Sequence, residues 1–417
     1  MAPPTAVPET TWQQVRALGS ADILFGIPSF KNYDTIGHVA SVAAAGLRRY
    51  FPELNPILIN SDGKSPDRTP DAFTAALRQT TVPYLTFEYD GPPGKGSAFR
   101  AIFEIAEALG VRACVVVDSD LRSITEEWIE RLAAPVVHQG YGFVTPFYVR
   151  HKYDGTITNN VTYPLIRTLY GQQVRQPIGG DFGFSGALAA TYARAPVWDS
   201  EVARFGIDVF MTTTALAEGH RVCQANLGAK VHDPRDPAAS LGPMFMQVVD
   251  TLFALMPRYE ANWRPITGSQ PVPRYGPEVQ AEPEPVAVNL QALVSQFKAG
   301  AEQHEALWRT LLTPPTFANL SFIVGQSADG FSFPPELWAR VLYDLAVAHA
   351  SALAPPAMLI DSITPLYYGR TAGLVVDTAE MDGAAFEAYV SDQAATFERL
   401  KPYLLSRWDE LPAAPVE

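Results

Sequence analysis

Between residues 21 and 120 the chain repeats one pattern: an apolar run, a polar loop, then a stretch of helical period. ADILFGIPSF, PILINSD, VPYLTFEYD and VRACVVVDSD read as strands, mostly of the kind covered on both faces. TIGHVASVAAAGLRRYF, DAFTAALRQT and AFRAIFEIAEALG between them are amphipathic helices. Strand–helix alternation of this kind demands parallel strands joined by crossovers, hence an α/β sandwich of the doubly wound type. Ligands of such sheets gather at the carboxyl ends of the strands. The polar loops here all follow strand ends, so all are expected along one edge.

Past residue 130 the pattern loosens. GYGFVTPFYV and RVCQANLGAKVHD read as strands, and EVARFGIDVFMTTTALAEG as a helix with a polar entrance. Residues 261–289 are Pro-rich and read as a linker or surface excursion, and 290–313, 334–353 and 383–408 are helical by period. The expected division is a sheet domain over 20–260, the linker, and a mainly helical region over 290–417. The 417 residues are 47% hydrophobic, enough for a sizeable core, and carry a net charge of −13. That acidity argues against nucleic-acid binding, which needs clustered Lys and Arg. Cys114 and Cys223 are the only cysteines; both lie in strand-like runs and read as buried thiols of a reducing compartment. The N-terminus has no signal-peptide pattern, and PMFMQVVDTLFALM is too short to span a bilayer. A cytoplasmic protein without membrane association is expected.

The strongest chemical signal is VVVDSD. In an extended segment Asp118 and Asp120 point to one side, and paired carboxylates at a strand end suit Mg²⁺ or Mn²⁺. The same residues also read as an ordinary acidic loop. In GPPGKGS, Gly94 and Gly96 permit close approach of a ligand and Lys95 offers a charge to a phosphate, although neither the Walker nor the dinucleotide glycine pattern is present. In LGAKVHDP, Lys230 and His232 alternate on one strand face, and the imidazole is a candidate third metal ligand. The glycines of QPIGGDFG around Asp181 mark a tight bend near a ligand or a helix start. Asp208, just inside a helix, either serves the helix dipole or grips sugar hydroxyls. The loops at Pro28, Ser29, Phe30 and Asn32, and at Ser61 and Asp62, offer a stacking surface and an acceptor for a base.

Taken in order, GIPSFKNYDTIGH, INSDGKSPD, PPGKG, VVVDSDL, RQPIGGDFG, FGIDVFM and QANLGAKVHDP resemble the nucleotide-diphospho-sugar transferases of the GT-A fold, a Rossmann-like sandwich. The likeness is to the retaining group of glucosyl-3-phosphoglycerate, glucosylglycerate and mannosylglycerate synthases. It implies a GT-A domain with a helical C-terminal extension. It also implies a GDP- or UDP-hexose donor, a divalent metal and a small hydroxy-acid acceptor such as D-glycerate or 3-phosphoglycerate. By resemblance Pro28–Asn32, Ser61 and Asp62 hold the nucleoside, and Lys95 the diphosphate or ribose. Asp118 and Ser119 serve the ribose or metal shell, and Asp120 with His232 ligates the metal. Asp208 binds the donor sugar, with Gly180, Asp181 and Lys230 beside it. Thr156, Thr158, Asn159 and Asn160 form an acceptor loop. PLYYGRTAG caps the acceptor side through Tyr367 or Arg370, or else is a packing segment. Catalysis would then rest on Lys95, Asp181 and Asp208, with self-association expected. A sugar-phosphate nucleotidylyltransferase and a non-catalytic nucleotide-sugar binder are the rival readings; GIPSFKN lacks the Gly-rich, Arg-containing first loop of the former.

Overall fold

The structure is a computed structural model that describes residues 5–231, 242–328 and 330–411. The chain forms two compact units: Met1–Arg150, Val174–Asp233 and Val272–Glu284 make a sheet unit, and His151–Gln173, Pro234–Pro271 and Pro285–Glu417 a helical one. The units are interleaved along the chain, whereas the sequence reading cut it at 260 and 289. Segment 151–173 and the helix Gly242–Arg258 fall with the helical unit, and part of the Pro-rich stretch falls with the sheet.

The strands are β1 (Ile23–Ser29), β2 (Pro56–Asp62), β3 (Tyr84–Glu88), β4 (Ala113–Val116), β5 (Phe143–Val149), β6 (Gln172–Gln173), β7 (Phe182–Ser185), β8 (Val222–Ala229), β9 (Gln270–Pro271) and β10 (Arg274–Tyr275). Eight of them form the central sheet in the order β10-β8-β5-β7-β4-β1-β2-β3; β6 and β9 pair in the helical unit. The first eight helices are α1 (Glu9–Leu18), α2 (Tyr33–Tyr50), α3 (Thr69–Ala76), α4 (Lys95–Ala108), α5 (Glu126–Gln139), α6 (Tyr163–Tyr170), α7 (Gly186–Arg194) and α8 (Ile207–Ala217). The structure thus has the expected mixed α/β architecture. One strand departs from the parallel scheme: β7 runs antiparallel to both β4 and β5. Its short FGFS run carries no signal of direction.

Strand alternation builds two cores. Ile23, Phe25 and Ile27 of β1 join α2, α3 and α5 residues in one apolar cluster. Gly26, out of phase with them, faces α4 so tightly that a Cβ would lie 2.8 Å from Ile102. On that second face Phe103 of α4 packs on Phe184, Tyr192 and Trp198. The order of strands reverses between β1 and β4, the switch point outside whose carboxyl ends ligands of such sheets bind.

The first two strands run further than the loops expected of them. Pro28 and Ser29 lie within β1, and Ser61 and Asp62 within β2. Pro28 is tolerated because β4 pairs with β1 only as far as Gly26, so the missing N–H costs no ladder bond on that side.

In the helical unit the sequence periods for 290–313 and 334–353 correspond to Leu290–Leu311 and Pro335–Ala350, and the 383–408 stretch is two helices that break at Leu400. The helix Pro356–Asp377 went unread, because Pro365 and two glycines interrupt its pattern.

Candidate functional site

The side chains at this switch point come from the sheet unit alone. β4 carries four buried residues, and Val117 continues the ladder by donating its N–H to the Gly26 carbonyl at 3.2 Å. Asp118 comes next, and its N–H donates to Asp181 Oδ1 at 2.8 Å. At the switch point Ser119 Oγ donates to Asn32 Oδ1 at 2.8 Å, tying the loop after β4 to the loop after β1.

Lys95 is the first residue of α4. The glycines flanking it are required by packing, a reason the sequence reading did not give. A Cβ on Gly96 would sit 1.8 Å from the Val202 carbonyl, and one on Gly94 would sit 2.4 Å from that of Ala203. The start of α4 is thereby pressed on segment 202–204, four residues before Asp208. That contact is what sets the Lys95 ammonium beside the Asp208 carboxylate.

Lys230 arrives by a different device. In an unbroken strand it would share the face of Gln224 and Asn226. The β5–β8 register instead slips by one residue, from Phe147↔Asn226 to Tyr148↔Gly228, with Gly228 at φ +78. The slip puts Lys230 in phase with Cys223, Ala225 and Leu227, which share their core cluster with Tyr148. Its Nζ lies 5.3 Å from the centre of the Tyr148 ring.

The result is a chain of alternating charges. Lys230 Nζ contacts Asp181 Oδ2 at 2.9 Å and Asp118 Oδ2 at 2.7 Å. Lys95 Nζ contacts Asp118 Oδ1 at 2.8 Å and Asp208 Oδ1 at 3.2 Å. The carbonyl of Gly179 accepts from Lys230 at 2.9 Å. Gly180, at φ +90, is required here: a Cβ would lie 2.4 Å from Asp118 Oδ2. Burial works against every charge in the chain, and the partners decide the outcome. Asp118, between two ammoniums, is held far below its ordinary range despite desolvation. Lys95 and Lys230 are held above theirs, because their carboxylates outweigh the same penalty. Asp208 is the exception: desolvation prevails over Lys95 and raises it. Its Oδ1 is buried with no hydrogen-bond partner among the described residues, the Lys95 ammonium lying within ion-pair distance but off the hydrogen-bonding line.

The structure therefore brings together Lys95, Asp118, Gly180, Asp181, Asp208 and Lys230. Ser119 and Asn32 adjoin them through Asp118, and Phe30, more than half exposed, follows β1. Asp62 is fully buried and accepts from Ser29 Oγ, Ser65 N and Ser65 Oγ at 2.7 Å each, so it orders the two loops rather than offering an open acceptor. Asp118, expected in the ribose or metal shell, pairs its Oδ1 with Lys95 and its Oδ2 with Lys230. His232 lies outside the described residues. Among the described residues, no three His, Cys, Asp or Glu side chains are grouped to hold a metal ion.

The expected acceptor loop is a different object. Thr158–Thr162 forms a π-helical turn leading into α6, within the helical unit, and Thr156, Thr158, Asn159 and Asn160 are buried. Thr156 Oγ1 bonds Tyr367 Oη at 2.6 Å, and the Asn159 and Asn160 carbonyls accept from Gln393 and Trp338 at 2.7 Å. Arg370 is fully buried and donates to Gln393, to the Phe333 carbonyl and to Tyr389 Oη. A guanidinium enclosed this way holds helices together, and the packing alternative for PLYYGRTAG stands.

Two site residues went unread. Tyr148 donates its hydroxyl to Asp181 Oδ2, and the Gln176 side chain clamps the Tyr148 backbone. Tyr148 sits at the carboxyl end of a strand on the same edge as Asp118, which was the available signal. Among the described residues no helix is long and apolar enough to cross a membrane.

No protein-family model and no curated protein matches the chain. Solved structures do. Glucosyl-3-phosphoglycerate synthase from Mycobacterium tuberculosis, in complex with Mg²⁺ and UDP, is 21% identical, with a TM-score of 0.44 over 60% of this chain and 84% of that one. The same enzyme with Mn²⁺, UDP and phosphoglyceric acid is 22% identical, with a TM-score of 0.44 over 61% and 84%. A structure described as a mycobacterial protein is 24% identical, with a TM-score of 0.44 over 60% and 79%.

Proposed function

We propose that the chain transfers a hexosyl group, glucose or mannose, from a nucleoside-diphosphate sugar to a small hydroxy acid of the glycerate type. The observation that carries this reading is the charge chain at the switch point, ending in Asp208 Oδ1, a buried oxygen that pairs with the Lys95 ammonium at 3.2 Å but accepts no hydrogen bond among the described residues. A buried oxygen of that kind is costly unless something supplies a hydrogen bond. Sugar hydroxyls are the matching donors, and Asp208 Oδ1 is the oxygen that takes one. Lys95 and Lys230 lie a residue or two from the same point and are the cations for a diphosphate. The exposed ring of Phe30 offers a stacking face for the base.

The donor set also fits a hard divalent cation. Asp120 lies two residues after the partly buried Asp118, and carboxylate oxygen is the ligand Mg²⁺ and Mn²⁺ prefer. Asp120, with His232, would hold the ion, and Asp118 would stand behind them between its lysines. When bound, such an ion neutralises charge on the departing diphosphate. The rest falls to the chain's own groups. Lys95 and Lys230, preorganised by their carboxylates, stabilise the same developing charge. Asp208 orients the hexose through its hydroxyls. The acceptor oxygen forms the new bond at the anomeric carbon as the bond to the phosphate oxygen breaks, and the departing phosphate takes the acceptor's proton on the same face. That route retains configuration and leaves Asp208 free for binding.

The test is a screen of UDP- and GDP-hexoses against D-glycerate and 3-phosphoglycerate with Mn²⁺ or Mg²⁺, read by nucleoside-diphosphate release. Turnover with at least one pair is expected; pyrophosphate release instead would favour the nucleotidylyltransferase class. Proton NMR of fresh product should show an α-linkage from an α-linked donor, and a β-linkage would overturn retention.

A further inference from the structure

The loop 174–181 is folded around one residue of β5, Tyr148, through both its backbone and its hydroxyl. Gln176 grips the Tyr148 backbone from both sides: its Oε1 accepts the Tyr148 N–H at 3.1 Å, and its Nε2 donates to the Tyr148 carbonyl at 2.9 Å. Five residues on, Asp181 accepts the Tyr148 hydroxyl. Between them Gly179 packs against the strand so closely that a Cβ would lie 2.1 Å from Pro146 Cγ. The ring is fixed independently. Trp128 packs on it at 5.4 Å, and the register slip seats Tyr148 opposite Gly228. Lys230 lies over that ring, and Arg150 is 5.4 Å from its centre.

We infer that Tyr148 is a positioning residue of this site: it sets loop 174–181 and, through Asp181, holds the Lys230 ammonium where the donor's diphosphate is taken. The inference rests on the nucleotide-sugar reading above. Asp181 Oδ2 serves both the phenol and Lys230, so the phenol fixes the carboxylate rotamer that the ammonium follows. Asp181 Oδ1 meanwhile accepts the Asp118 N–H, so the same carboxylate also sets the turn that carries Asp118. Without the phenolic donor, Asp181 keeps its charge but loses one of the contacts that aim it.

The experiment is a double-mutant cycle of Tyr148→Phe and Asp181→Asn in the full chain, with two readouts and a thermal melt to confirm folding. The first is acetylation of Lys230 by acetic anhydride, quantified by peptide mass spectrometry. Each single variant is expected to raise Lys230 labelling several-fold, with the double variant no higher than Asp181→Asn alone. The second is calorimetric binding of UDP and of GDP, each with Mn²⁺. Tyr148→Phe is expected to weaken the better-bound nucleotide about tenfold, the size of one hydrogen bond to a charged group, and to have little effect once Asp181 is Asn. Unchanged Lys230 labelling in Tyr148→Phe overturns the inference, as do effects of the two substitutions that simply multiply. If Tyr148→Phe fails to fold, Asp181→Asn remains as the second variant, and unchanged Lys230 labelling there overturns the route through Asp181. Failure of the wild-type chain to bind either nucleotide would instead sink the nucleotide-sugar reading, with the labelling cycle still deciding whether Tyr148 positions Lys230.

Discussion

Three lysines whose side chains are largely withdrawn from solvent show two ways of holding an ammonium inside the fold. In the sheet unit Lys95 and Lys230 are partnered by carboxylates, and their pKa values are held above the ordinary range. In the helical unit Lys401 donates to three main-chain carbonyls, of Thr168, Trp263 and Ile266, at 3.1, 2.6 and 2.6 Å. Burial pushes it down to about 8, with only Glu398 opposing. Carbonyls that belong to the fold make a fixed clamp. Carboxylates carry charge of their own and can exchange a lysine for an incoming cation while the lysine turns to an incoming anion. The carbonyl clamp suits a structural role, and the carboxylate pairing suits the ligand site proposed above.

The comparison breaks most visibly at Asp118. Asp118→Asn leaves two buried ammoniums short of a counter-charge, at a cost of about 3–5 kcal/mol where such a pair is cut. Urea unfolding should show that loss, and nucleoside-diphosphate release should fall about a hundredfold or more. Lys401→Met strands three carbonyls and should cost about 1–3 kcal/mol, with nucleotide affinity by calorimetry unchanged. A loss of affinity there would erase the distinction between the two units. Asp208→Asn removes a desolvated charge, so stability should shift by less than about 1 kcal/mol while kcat/KM falls about tenfold to a hundredfold. The smallest effect is in pH. A lysine lowered on folding binds fewer protons folded than unfolded between about 8 and its ordinary 10.5, so its contribution to stability rises with pH in that window. Lys230, raised on folding, contributes fully below its ordinary 10.5 and loses the contribution only above it. Between pH 8 and 10 the stability gap between wild type and Lys401→Met should therefore change, and that between wild type and Lys230→Met should stay level.

Much of the site was legible because local rules place it. Lys95 opens a helix after a glycine loop and Asp118 ends a buried parallel strand, so sheet topology alone sends both to one edge. Asp208 was legible as the start of α8. What the residue pattern determined is this alternation of strand and helix, the edge on which polar groups collect, and the identity of five of the charged side chains there. What only the tertiary structure decided is their pairing. The direction of β7 is set by its neighbours, and Lys230 reaches the cluster through a one-residue slip that a single strand cannot reveal. Tyr148 meets Asp181 because a loop closes across the sheet. Arg370 and Asn160 are polar residues that read as ligand contacts until helices distant in sequence enclose them. Periodicity reports which face a side chain takes within its own element; which partner meets it there depends on long-range packing, and that is where burial, charge compensation and the unsatisfied oxygen of Asp208 arise.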